Sequence, residues 1–331
     1  MRFLVIGGAG YIGSHFVQEA LRQGHTCSVY DNLSRGYRQA IPPTVDLIKA
    51  DLLDAAALRK TLQANAYDAI FHFAALALVG ESVSQPQLYY QNNTEGVRVL
   101  LDAIRDVNPK MALVFSSTCA VFGTPQKLPI AEDDPKNPIS PYGRSKLMAE
   151  WMMEDYCHAY GLKAIALRYF NACGADENGS IGEDHVPETH LIPNVFKAAR
   201  LGEKITIFGS DFPTKDGTCV RDYIHVTDLA DSHLRAALYL IKAKSATFDA
   251  IHLGTGHGYS NLEIVEAAGQ VLGKKLKVTM GERRAGDPPA LYADNAKAKR
   301  ILGFQTRHSD LPSILKSAWD WHTKHPEGFR G

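Results

Sequence analysis

Short apolar runs alternate with longer mixed stretches through the first half of the chain. "RFLVI", "TCSVYD", "AIFHFAA", "MALVFSS" and "KAIALRYFN" are β-rich and read as strands. Between them, "YIGSHFVQEALRQG", "DLLDAAALRKTLQAN", "YYQNNTEGVRVLLDAIRDV" and the segment that begins at "SPYGRSK" read as helices. This βαβ rhythm predicts a parallel sheet covered on both faces. After Asn171 the rhythm breaks. "ACGADENGSIGEDHVPETH" is loop-like, and the later elements are shorter and punctuated by proline. The chain is therefore expected to be α/β, with a doubly wound parallel sheet over residues 1–172 and a smaller C-terminal α/β unit over residues 173–331. The helix "VTDLADSHLRAALYLI" and the strand "FDAIHLG", within residues 222–254, are expected to return to the first sheet.

Composition narrows the function classes. The 331 residues are 45% hydrophobic and 22% charged, an ordinary globular balance. Lys+Arg and Asp+Glu are both 36 and no basic cluster stands out, so nucleic acid is not expected as the main ligand. The five cysteines are odd in number and match no zinc or disulfide spacing, which suits a reducing cytoplasm. The opening apolar run is too short for a secretion signal, and "AIFHFAALALVG" is too short to span a bilayer. No membrane segment is expected.

Two motifs carry chemistry. "GGAGYIG" spaces Gly7, Gly10 and Gly13 between a strand and a helix, where glycine lets the backbone approach a pyrophosphate at the helix N-terminus. The next strand ends in Asp31, whose carboxylate suits adenosine ribose hydroxyls and would repel a 2′-phosphate, so a Rossmann-type site for NAD is expected. Asp51 is positioned for the adenine amino group, and "HFAA" ends a strand at the carboxyl edge of the sheet, where ligands bind. In "SPYGRSK", Ser140 is a natural N-cap and Pro141 a natural first helical residue. Tyr142 and Lys146 then project from one helical face, a turn apart. By itself that pair describes an ordinary solvated face.

"GGAGYIGSH", "DNLSRG", "FHFAA", "VGESVSQP", "YYQNN", "SPYGRSK", "RYFNACGA", "GEDHVPETHLIP", "DGTCVRDYIHV" and "RRAGDPPALYADNAKA" follow one another along nearly the whole chain. With "SST" at Ser116–Thr118, they resemble the UDP-glucose 4-epimerase family of extended short-chain dehydrogenase/reductases. The resemblance implies that Tyr142 is the acid/base on the sugar 4-hydroxyl, that Thr118 hydrogen-bonds the same hydroxyl, and that Lys146 holds the nicotinamide ribose. It implies cofactor contacts at Gly7, Gly10, Tyr11, Ile12 and Gly13, at Asp31, Asn32, Leu33, Ser34 and Gly36, and at Asp51 and Leu52. Further cofactor contacts are implied at Phe73, Ala74, Ala75, Asn92, Ser116, Tyr142, Lys146, Tyr169 and Phe170. A UDP-sugar substrate would meet Thr118, Tyr142, Asn171, His190, Leu191, Ile207, Phe208, Arg221, Tyr223, Arg284, Asp287 and Leu291. The reaction implied inverts C4 through a 4-keto sugar.

Particular positions refine the expectation. Ala77 stands where family members often carry a cofactor-contacting lysine. Thr118 is followed by Cys119 and Ala120, not by the Asp and Glu of the related 4,6-dehydratases, so dehydration is disfavoured. Leu291 is intermediate between the tyrosine that narrows the family's sugar pocket and the small residue that admits an N-acetyl group. A 4-epimerase of UDP-N-acetylated sugars, UDP-xylose or UDP-glucuronate remains an alternative, as does a non-catalytic NAD-sensing regulator. No metal is expected, because His185 and His190 are spaced i,i+5 around Pro187 and are not a helical ligand pair. The apolar residues Val97, Leu100, Leu101, Ile104, Leu147, Met148, Trp151 and Met152 exceed what one core contact needs, and the resemblance implies a homodimer through a four-helix bundle.

Overall fold

The computed structural model describes residues 1–284 and 287–330. The first half runs β1 (Arg2–Ile6), α1 (Tyr11–Arg22), β2 (Thr26–Asp31), β3 (Asp46–Lys49), α2 (Ala55–Ala64), β4 (Ala69–His72), α3 (Val79–Ser84), α4 (Pro86–Tyr89), α5 (Gly96–Val107), β5 (Ala112–Thr118), α6 (Pro141–Tyr160) and β6 (Lys163–Tyr169). The second half runs β7 (Asn171–Cys173), α7 (Leu191–Leu201), β8 (Ile205–Phe208), β9 (Val220–Arg221), β10 (Tyr223–His225), α8 (Val226–Lys242), β11 (Thr247–Leu253), β12 (Tyr259–Ser260), α9 (Asn261–Val271), β13 (Val278–Gly281), β14 (Ala290–Leu291), α10 (Ala296–Leu302) and α11 (Leu311–Lys324).

Seven parallel strands form the main sheet in the order β11-β6-β5-β4-β1-β2-β3. The order reverses between β1 and β4, which opens a crevice at their carboxyl ends. β5 is buried along its full length, as a strand covered on both faces must be. One face packs under α1, α8 and α10 through Phe16, Val17, Leu229, Leu234 and Leu302. The other packs under α2, α5 and α6 through Leu58, Leu62, Leu100, Ile104 and Met153. β11 pairs with β6 from Thr247↔Lys163 to Leu253↔Tyr169, so the 222–254 region contributes both a strand and a covering helix to this sheet. A third core gathers α7, α9 and α11 around Val195, Phe196, Ile264 and Ile314.

α6 begins as its sequence dictates. The Ser140 hydroxyl accepts from the Gly143 N–H at 3.2 Å, Pro141 occupies the first turn, and Gly161 ends the helix at φ 79°. Gly143 is required by close packing, since a Cβ there would lie 2.5 Å from the Ala120 carbonyl oxygen. That contact presses the first turn of α6 onto the turn that follows β5. The segment from Tyr90 is not one regular helix: residues Tyr90–Glu95 form a π turn before α5. Its Asn93 side chain exchanges hydrogen bonds with the Leu76 backbone and donates to the Ser145 hydroxyl, tying this turn to α6.

Five of the eight apolar residues read as an excess, Val97, Leu100, Leu101, Ile104 and Leu147, are core residues, and Met152 packs at the core's edge. Met148 and Trp151 remain exposed at 40% and 54%. Among the described residues, no helix is long and apolar enough to cross a membrane.

Candidate active site

The glycine loop forms a cradle at the crevice. Gly7 has φ +78°, and a Cβ on it would lie 2.4 Å from the Ala74 nitrogen. A Cβ on Gly13 would lie 2.3 Å from the Gly7 carbonyl oxygen. Gly10 caps α1 without a side chain, so the positive helix end faces outward uncovered. Tyr11 and Ile12 follow in the first turn, and Phe73, Ala74 and Ala75 form the adjoining wall beyond β4.

Asp31 is buried beside this cradle. Its carboxylate accepts the Ala9 N–H at 2.9 Å and the Leu33 N–H at 2.8 Å. Burial raises its pKa, and the two N–H donors act against that. Each oxygen keeps a lone pair for a further donor such as a ribose hydroxyl. Leu33 takes a left-handed conformation at φ 61°, and Gly36 sits so close to Ala9 that a Cβ would meet its carbonyl carbon at 2.7 Å. Asn32 donates to Asp51 at 2.8 Å and accepts from the Ser34 N–H at 2.9 Å. Leu52, next to Asp51, is turned into the core. Arg35 is directed to Glu81 and the Val186 carbonyl, at 2.8 and 3.1 Å. Its guanidinium is thereby paired with a carboxylate, a poor arrangement for a 2′-phosphate.

The carboxyl end of β5 gathers the acid–base candidates. Lys146 is 2% exposed and donates to the Ser116 carbonyl at 2.7 Å, with its ammonium 4.4 Å from the Phe115 ring centre. Burial lowers its pKa from 10.5 to about 7, and the Glu150 charge acts the other way. Burial pushes the Tyr142 phenol up to about 12, and the Thr118 hydroxyl pulls it down. Burial therefore keeps the phenol protonated when nothing is bound beside it. Thr118 also accepts the Ala120 N–H at 3.1 Å, which fixes its hydroxyl. The Ser116 hydroxyl contacts the Tyr169 phenol, and Asn92, on the π turn, donates to Asn93 at 2.9 Å.

One buried network went unanticipated. Glu150, one turn beyond Lys146, accepts from the Ser117 hydroxyl at 2.6 Å and from Arg168 at 2.9 and 2.5 Å. It ties α6 to β5 and β6 directly behind Lys146. An acid at i+4 from the lysine was the available signal, but its partners lie on other strands.

Elements of the second half lie against this end of β5. β9 pairs with β14, setting Arg221 beside Leu291. Leu291 packs with Cys119 and Phe122 on the turn after Thr118 and with Leu147 of α6, with Phe170 against the same cluster. Arg284 donates to Asp287 at 3.1 Å, and Arg221 stands 3.8 Å from the same carboxylate. Arg284 also lies over the Phe208 ring, 5.2 Å from its centre. Ile207 and Tyr223 are core residues, so of the Ile207–Phe208 pair only Phe208 presents its ring outward. Asn171 is held in register opposite Tyr223. His190 is the N-cap of α7, just before Leu191, but its ring is engaged by Glu183.

Residues 3–246 match the NAD dependent epimerase/dehydratase family. The UDP-glucose 4-epimerase of Lactobacillus helveticus is 50% identical over 330 residues, covering 99% of this chain and 99% of its own. Among solved structures, UDP-glucose 4-epimerase from Brucella ovis in complex with NAD superimposes with a TM-score of 0.92 at 50% identity, over 96% of this chain and 97% of that one. UDP-glucose 4-epimerase from Bifidobacterium longum in complex with NAD+ and UDP gives 0.93 at 36% identity, over 99% and 100%. A family match across most of the chain, joined to this degree of likeness from end to end, shows that the protein belongs to the NAD dependent epimerase/dehydratase family.

Proposed function

We propose that this protein is an NAD-dependent isomerase that interconverts UDP-glucose and UDP-galactose by inverting C4 of the hexose. The observation that carries this reading is the docking of one turn of α6 over the end of β5, where Tyr142 meets the Thr118 hydroxyl and Lys146 the Ser116 carbonyl. The glycine cradle lies at the same edge of the sheet.

The residues fit NAD. Gly7 and Gly13 let the loop pack tightly on itself and on Ala74, and the start of α1 would offer its N–H groups to a pyrophosphate. Asp31 would take the adenosine ribose and Lys146 the nicotinamide ribose. When bound, NAD supplies the two-electron acceptor that makes a carbinol carbon oxidisable and later returns what it took.

Tyr142 removes the proton of the sugar 4-hydroxyl, with Thr118 hydrogen-bonded to the same oxygen. It gives a proton back once the 4-keto sugar has turned its other face inward. Turning requires that the hexose be held loosely and the nucleotide firmly. Arg221 and Arg284 suit the diphosphate, Phe208 the uracil and Asp287 the uridine ribose. Cys119 and Ala120 offer no carboxyl group for an elimination. Two copies pairing through α5 and α6 would cover the exposed Met148 and Trp151, which supports a homodimer. Five free, buried thiols suit a reducing compartment such as the cytoplasm.

The test is to incubate purified protein with UDP-galactose and no added cofactor and to follow UDP-glucose by NMR, with UDP-N-acetylgalactosamine in parallel. UDP-glucose should form, and Tyr142→Phe should slow its formation by about 10²–10⁴-fold. Turnover unaltered in that variant would exclude the assignment, and tritium washed from C4–H into solvent would do the same.

A further inference from the structure

We propose that Glu183, His185, Glu188 and His190 form a structural binding site for a divalent transition cation of the zinc class. One ligand atom from each residue lies within 4.8 Å of all the others. His185 Nδ1 is 3.3 Å from Glu183 Oε1 and 3.5 Å from Glu188 Oε2. His190 Nδ1 touches the same Glu183 oxygen and stands 3.9 Å from Glu188 Oε1. Both imidazoles thus turn the same nitrogen toward one point, and both carboxylates face it.

The spacing suits a tetrahedral ion. Four ligands at the ~2.0–2.2 Å usual for zinc stand about 3.3–3.6 Å from one another. The two His185 separations, 3.3 and 3.5 Å, fall in that range and the His190–Glu188 separation of 3.9 Å lies near it, while the His190–Glu183 contact must open to admit the ion. Two nitrogens and two oxygens are a borderline donor set. Calcium and magnesium prefer oxygen alone and more ligands. Four protein donors also leave no open coordination position, so the ion would hold structure and not polarise the sugar.

The surroundings resemble an outer shell. Glu183 is 3% exposed, and Trp321 donates its indole N–H to the Glu183 carbonyl at 3.3 Å. Glu188 Oε1 is oriented by the N–H groups of Thr189 and His190, both at 2.8 Å. The Tyr11 ring stands edge-on to His185, with centroids 6.1 Å apart. An ion here would fix the conformation of residues 183–190, a segment that leads into α7 and touches Tyr11 of α1 and Trp321 of α11.

His185 and His190 are not a helical pair: the chain bends at Val186–Pro187 between them, which brings the rings to 5.3 Å.

The holoenzyme, dialysed against a chelator, is titrated with Co²⁺, and Zn²⁺ affinity is measured by competition with a chromophoric chelator. One equivalent of Co²⁺ should bind with the intense visible bands of tetrahedral coordination, and Zn²⁺ should displace it. His185→Asn and Glu188→Gln, folded by circular dichroism, should each weaken binding by at least about 100-fold. If His185→Asn does not fold, Glu188→Gln carries the comparison by itself. Wild-type protein that takes up neither ion at micromolar concentration would overturn the proposal. So would variants that bind as wild type does, leaving the cluster a metal-free network.

Discussion

Lys146→Met should make the nucleotide-free protein more stable while it loses activity. The ammonium is 2% exposed, and burial brings its pKa from 10.5 to about 7. That drop corresponds to roughly 5 kcal/mol against the charged form at pH 6. Methionine gives up the neutral amine's hydrogen bond to the Ser116 carbonyl, roughly 1 kcal/mol. Methionine is unbranched, apolar and similar in volume. A net gain of roughly 4 kcal/mol at pH 6 is expected. The folded-state pKa lies below the unfolded one, so between pH 7 and 10.5 the unfolded chain holds a proton that the folded chain has shed. Wild-type stability therefore rises with pH through that window, and the advantage of methionine shrinks by roughly 3 kcal/mol between pH 6 and pH 9. The assay is urea unfolding of both proteins, stripped of nucleotide, at pH 6 and pH 9. A variant less stable than wild type at pH 6, or a difference that does not change with pH, would refute the reasoning.

Glu150→Gln should cost about 3–5 kcal/mol, because it strands the buried Arg168 guanidinium without its carboxylate. It also removes the charge that holds the Lys146 pKa up, so the alkaline limb of kcat/KM should move to lower pH, read from a pH–rate profile. Leu291→Tyr should narrow the pocket at the Cys119–Phe122 turn and lower kcat/KM for an N-acetylated UDP-sugar by about 10–200-fold relative to UDP-galactose. Unchanged discrimination would remove Leu291 from the gate. Trp151→Asp should give monomers by light scattering, since it puts a charge on the exposed apolar face of α6.

The strand–helix rhythm, the glycine cradle and the capped start of α6 were readable because each is a local event. An apolar run is a strand wherever two covering layers are available, and Ser140–Pro141 starts a helix from its own bonds. The candidate residues Tyr142, Lys146 and Thr118 could be named from spacing and resemblance. Their protonation states could not, because burial, not mutual attraction, dominates: the phenol goes up and the ammonium goes down.

What the sequence by itself determined was the order of elements and the identity of the reactive groups. Tertiary structure alone decided which distant groups meet. Glu150 finds Ser117 and Arg168 across two strands, Arg221 finds Leu291 through strand pairing, and Arg35 is claimed by Glu81. It likewise turned His185 and His190 onto one carboxylate and buried Leu100 and Leu147 while leaving Trp151 exposed. The physical reason is range. Propensity and capping act within a turn or two, whereas desolvation and ion pairing depend on what the folded chain sets nearby.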